Sequence, residues 1–87
     1  MRCYEIIRTL RVGRLSIRLW VEANDGPCEV CEEMADNLAL CATTLADEDD
    51  DPMILAEKLM NTLNGITKAE VVDTSGHGGA VSIAAGA

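Results

Sequence analysis

Cys28-Glu29-Val30-Cys31 sets two thiols one helical turn apart where a helix is expected to begin. There the helix dipole lowers a thiol pKa, and two sulfurs can share a metal or close a disulfide. The other cysteines, Cys3 and Cys41, are unevenly spaced from this pair. A structural zinc would need Cys3, Cys41 or His77 to complete four ligands, and Cys41 lies about 15 Å along the same helix from Cys31 at ~1.5 Å per residue. Reduced thiols are the plainer reading, with no metal and no cofactor expected. Asp47-x-Asp49-x-Asp51 begins like a calcium loop. The sixth position should be Gly and is Pro52, and the twelfth should be Glu and is Lys58, which excludes an EF-hand. Asp73, Ser75 and His77 have the residue types of a hydrolase triad, beside Gly76-His77-Gly78-Gly79 as a candidate oxyanion loop. Three such residues within five positions of one turn cannot converge as a triad must, and no strand-nucleophile-helix elbow is present. No helix follows these glycines to hold a phosphate. The segment reads as a flexible turn, and no catalytic residue or enzymatic activity is expected.

The remaining chemistry is electrostatic. Between Glu22 and Glu57 lie twelve carboxylates and no lysine or arginine, including the unbroken run Asp47-Glu48-Asp49-Asp50-Asp51, whereas residues 1–21 hold five arginines against the single Glu5. The whole chain carries −8. Such polarity governs partner choice and association rate, not fold. A solvated face that keeps a small protein soluble is the plainer reading of an acidic run. Against it stand the length of the segment without bases and the lack of i+3 or i+4 ion pairs in its helix. A five-acid linker also opposes the C-terminal dipole of the helix it follows.

Eighty-seven residues make one domain, 1–87, that hides about 60–65% of its unfolded surface. Its core must come from Leu, Ile, Val, Met and Ala, since Tyr4 and Trp20 are its two aromatics. No apolar stretch reaches the ~18 residues of a membrane span and no signal-like segment is evident, so a cytoplasmic protein is expected. Residues 14–22 alternate, sending Leu15, Ile17, Leu19 and Val21 to one face and Arg14, Ser16, Arg18, Trp20 and Glu22 to the other. Tyr4, Ile6, Leu10 and Val12 share a parity just before them, so a turn at Val12-Gly13 predicts a hairpin pairing Leu10 with Leu15, Ile6 with Leu19 and Tyr4 with Val21. Arg8 falls on the inward parity, where it must snorkel out or find a carboxylate.

Asp25 and Pro27 predict a helix start, and the helix should run to near Ala46 with Val30, Cys31, Met34, Ala35, Leu38, Cys41, Ala42 and Leu45 on its buried stripe. Glu29, Glu32, Glu33 and Asp36 lie opposite, with Leu40 among them. Asp51 caps a second helix with Pro52 first, Gly65 as its stop and Met53, Ala56, Leu59, Met60 and Leu63 inward. Strands follow from Ile66 and from Ala80. The order ββααββ predicts an α+β two-layer sandwich, a four-stranded antiparallel sheet with both helices on one face. Its uncovered face should show Arg11, Arg14, Arg18, Ile7 and Trp20, a basic and partly apolar surface.

Two resemblances follow. The strand Leu15 to Val21, the pair Cys28 and Cys31, and Gly65-Ile66 resemble the heavy-metal-associated domain, where a strand leads into a Cys-x-x-Cys loop and helix and a later Gly-Val/Ile segment begins another strand. That resemblance implies metal or thiol handling by Cys28 and Cys31. The chain departs from it in having Gly26-Pro27 where that family usually places Met-Thr, and in its second helix. In size, acidity and the stretch Glu29 to Asp51, the chain resembles the phage-encoded inhibitors of bacterial defence, the anti-CRISPR and anti-restriction proteins that mimic nucleic acid. This implies a non-enzymatic inhibitor in the host cytoplasm. Its site would comprise Glu29, Glu32, Glu33, Asp36, Leu40, Asp47, Glu48, Asp49, Asp50 and Asp51, docked on the basic surface of a nucleic-acid-binding protein. Arg11, Arg14, Arg18 and Trp20 form a secondary surface. Direct nucleic-acid binding is not expected at −8, nor is membrane binding. A third reading is self-assembly, a homodimer or ring in which the basic hairpin of one copy meets the acidic helices of the next.

Overall fold

The computed structural model describes residues 4–23, 29–76 and 79–86. Strands β1 (Tyr4–Val12) and β2 (Leu15–Ala23) precede helices α1 (Glu29–Leu45) and α2 (Pro52–Thr62), and strands β3 (Ile66–Asp73) and β4 (Ala80–Ala84) close the chain. The four strands form one antiparallel sheet in the order β1-β2-β3-β4. The fold is the α+β, ββααββ arrangement expected.

Period-two patterning makes the sheet one-sided. Leu15, Ile17, Leu19 and Val21 are fully buried, as are Ala69 and Val71 on β3, while their even-numbered neighbours reach solvent. The hairpin register differs from the expected one by two residues: Val12 pairs with Leu15, Leu10 with Ile17, Ile6 with Val21 and Tyr4 with Ala23. The turn is Gly13-Arg14, with Gly13 at φ +57°. A side chain there would be strained, and its Cβ would run into Glu48, which lies over the turn. Because the shift is even, every residue keeps its face. Ile6 is buried and Leu10 half-buried, as the parity requires.

The two helices divide the sheet. α1 lies over β1 and scarcely touches α2, which covers β3 and β4. α2 begins as expected: Asp51 caps it, accepting from the Met53 amide at 3.2 Å, and Pro52 holds the first turn. It ends at Thr62, with Leu63 as cap and its N–H returned to the Leu59 carbonyl. Leu55, Ala56, Leu59 and Leu63 are buried. Met53, expected inward, is exposed, and Leu55 takes its place because the true stripe is rotated toward Pro52.

On α1 the expected stripe is too broad. Only Ala35 and Ala42 are buried; Cys31, Leu38 and Leu45 are half-buried, while Val30, Met34 and Cys41 are exposed. Two alanines let the helix settle close to the sheet along one line. α2 ends too early to cover the flank of α1 that carries Val30 and Met34. The expected start at Asp25 and Pro27 lies outside the described residues. No described helix is long and apolar enough to cross a membrane.

Candidate functional site

The acids of α1 fall into two groups. Arg8, inward on β1, reaches Asp36 Oδ1 from Nε at 2.8 Å and Glu32 Oε2 from Nη2. The hydrogen bond to Asp36, then that to Glu32, raises the guanidinium pKa above its ordinary value. The only charge of β1 on the helix side is thus satisfied by α1, and Glu32 and Asp36 serve as the clamp that fixes α1 to the sheet edge. Glu29 and Glu33 are exposed and paired with no described residue.

The linker is more ordered than a solvated charge run. Asp50 accepts from the Asp47 amide at 3.1 Å and from Lys58 Nζ at 3.0 Å, and its own amide donates to the Asp47 carbonyl. Burial pushes the Asp50 carboxyl up, yet the hydrogen bonds from Lys58 and the Asp47 amide, with the Lys58 charge, hold it below the usual carboxylate value. Lys58 also donates to the Leu45 carbonyl at 3.2 Å, supplying the terminus of α1 with the cation its own last turn lacks. Asp47 Oδ1 accepts from the Asp49 amide at 2.9 Å. Folding therefore accounts for Asp50, Asp51 and part of Asp47, which charge counting alone assigned to a partner. Glu48 and Asp49 remain exposed at the tip.

Seven carboxylates of the helical layer, Glu29, Glu33, Asp47, Glu48, Asp49, Asp51 and Glu57, stand in no ion pair among the described residues. Among the described residues Arg8, Arg14 and Lys58, the cations that reach this layer, are all engaged by acids. Between α1 and the end of α2 lies a predominantly apolar groove of about 440 Å³ lined by Leu40, Cys41, Thr44, Leu45, Thr62 and Leu63. Leu40, expected as an apolar residue among acids, is 66% exposed at its rim. The rest of the groove escaped sequence reasoning because it depends on where α2 stops. The uncharged stretch Asn37 to Leu45 was the available signal.

Comparison of the chain with protein-family models, with curated proteins and with solved structures finds no match.

Among the described residues the open sheet face is neutral, not basic as expected. Arg14 leaves it: Nη1 meets Asp73 Oδ2 at 2.7 Å and Nη2 the Asp50 carbonyl at 3.2 Å, tying the first hairpin to the second and to the linker. β3 brings Lys68 and Glu70 onto the face, so Arg11, Arg18 and Lys68 stand with Glu5, Glu22 and Glu70. Trp20 lies between Ile7 and Lys68 in the strand pairing, with Lys68 Nζ 4.6 Å and the Arg18 guanidinium 5.8 Å from its ring centre. Head-to-tail assembly thereby loses the basic surface it invoked.

Asp73, its side chain 5% exposed, accepts from the Ser75 hydroxyl at 2.5 Å and the Ser75 amide at 2.9 Å, an Asx turn rather than an acid aligning a base. His77 lies outside the described residues, as do Cys3 and Cys28. Cys31 is half-buried and Cys41 exposed. Among the described residues no three His, Cys, Asp or Glu side chains gather as metal ligands.

Proposed function

We propose that this chain is a non-enzymatic protein-binding module that docks its anionic helical layer on the basic surface of a nucleic-acid-binding protein and so competes with nucleic acid, as phage anti-defence inhibitors do. The supporting observation is the set of seven unpaired carboxylates on a layer whose cations are already engaged. Unpaired like charges repel one another and oppose compactness, so, the Asp51 cap and the Asp47 turn apart, folding gives no reason to concentrate them there. A basic partner does, because the summed field accelerates encounter and each neutralised phosphate mimic raises affinity in low salt. Glu32 and Asp36 add to the field while holding Arg8; Asp50 is the weakest contributor, being half-buried against Lys58.

The test is capture of proteins from a cell lysate on the immobilised chain at low salt, followed by elution with duplex DNA. A nucleic-acid-binding protein released by DNA and lost as salt rises is the expected result. Retention that is indifferent to both DNA and salt would refute the proposal.

A further inference from the structure

The groove between α1 and α2 sits in the middle of the acidic layer, and its place restricts what can fill it. On α1, Glu33, Leu40 and Thr44 follow one another along a single face at helical spacing, so an unpaired acid stands just beyond the N-terminal end of the apolar wall. At the other end Leu45 leads within two to four residues to Asp47 and Asp49. The apolar floor is thus bracketed by acids, Glu33 at one end and, beyond the Lys58 ammonium on the Leu45 carbonyl, Asp47 and Asp49 at the other. A second copy of this layer would bring acids against acids, and the open sheet face of a second copy carries equal numbers of opposite charges among the described residues, so neither matches it.

The walls are helices, which offer no strand edge to an extended chain. An amphipathic helix arrives with its own backbone hydrogen bonds made and can lay an apolar face on such a groove. Resting on the proposed docking to a basic protein, we infer that the groove receives an amphipathic helix of that partner, its apolar residues on Leu40, Cys41 and Leu63 and its lysines or arginines toward Glu33 at one end and Asp47 and Asp49 at the other. The stretch of α1 from Glu33 to Leu45, about 18 Å at ~1.5 Å per residue, with the linker acids beyond it, would match a partner helix of about four turns.

Two Leu/Lys peptides of identical composition and about 16 residues test this, one with leucines at i, i+3, i+4 and i+7 and one scrambled so that no apolar face forms. Binding is followed by fluorescence anisotropy, and the site is mapped from amide shifts of the isotope-labelled protein. The amphipathic peptide should bind at least about tenfold tighter than the scrambled one, shift Leu40, Thr44 and Thr62, and lose that advantage in Leu40→Glu/Thr44→Glu. The Leu40 and Thr44 side chains are exposed, so this variant should fold as wild type does. Equal binding of both peptides, weakened alike by salt, would overturn the groove while leaving the acidic docking reading intact. Shifts centred on Trp20, or failure of both peptides to bind, would overturn the two together.

Discussion

α1 and α2 lie on one sheet but attach to it by opposite means. α2 buries Leu55, Ala56 and Leu59 within eleven residues, and Leu63 follows as its cap. α1 runs for seventeen and buries only Ala35 and Ala42, relying on the Arg8 clamp to Glu32 and Asp36. The difference teaches where the chain commits its side chains to folding. Apolar burial at ~25 cal/mol per Å² makes α2 the structural helix, whereas α1 keeps most of its surface, including Val30, Met34, Leu40 and the unpaired acids, at the disposal of something else.

The contrast is sharpest in core truncation. Leu59→Ala should cost about 2–5 kcal/mol in urea unfolding, Leu38→Ala about 1–2, and Leu40→Ala close to nothing, in line with their burial. Equal losses at Leu59 and Leu40 would mean that α1 is rotated or that the helices share the core evenly. Asp73→Ala comes next at about 1–3 kcal/mol, because it strands the Arg14 guanidinium and opens the Asx turn.

Arg8→Ala should remove about 1 kcal/mol, a value limited by the exposure of Glu32 and Asp36. Its signature is local: amide exchange should accelerate in α1 and remain unchanged in α2. Uniform acceleration would show that the clamp supports the whole fold. The smallest effect belongs to Asp50→Asn. With the Asp50 pKa depressed in the folded state, its stabilisation is present above the unfolded carboxylate range and is lost as pH falls through the folded value. The variant should therefore be less stable than wild type near neutrality and converge with it in acid; a gap that widened on acidification would contradict the Lys58 contact.

The one-sided sheet and its element order were legible because alternation over Leu15 to Val21 admits a single buried face, and Asp51-Pro52 announces the start of α2. The hairpin register was not, since turns at Val12-Gly13 and Gly13-Arg14 preserve the same parity and so the same buried face. Arg8 advertised its need for a carboxylate without saying which. At the candidate site, acids could be counted but not sorted: that Asp50 answers Lys58 while Asp49 answers nothing depends on how the linker folds. The open face misled because its arginines were read without Glu5 and Glu22 of the same hairpin, and because Arg14 turns away to Asp73.

The central claim, that the unpaired acids serve a partner and not the fold, is tested most directly on one variant: Glu29→Gln, Glu33→Gln, Glu48→Gln and Asp49→Asn together, sparing Asp47, Asp50 and Asp51 for the turn, the lysine and the cap. Its melting temperature and its affinity for the DNA-displaceable partner are measured beside wild type at low salt. The account predicts a melting temperature equal or higher and an affinity reduced by at least about tenfold, with raised salt narrowing the gap as screening shortens the field to about 8 Å. A variant that melts lower and binds its partner as tightly as wild type would contradict it.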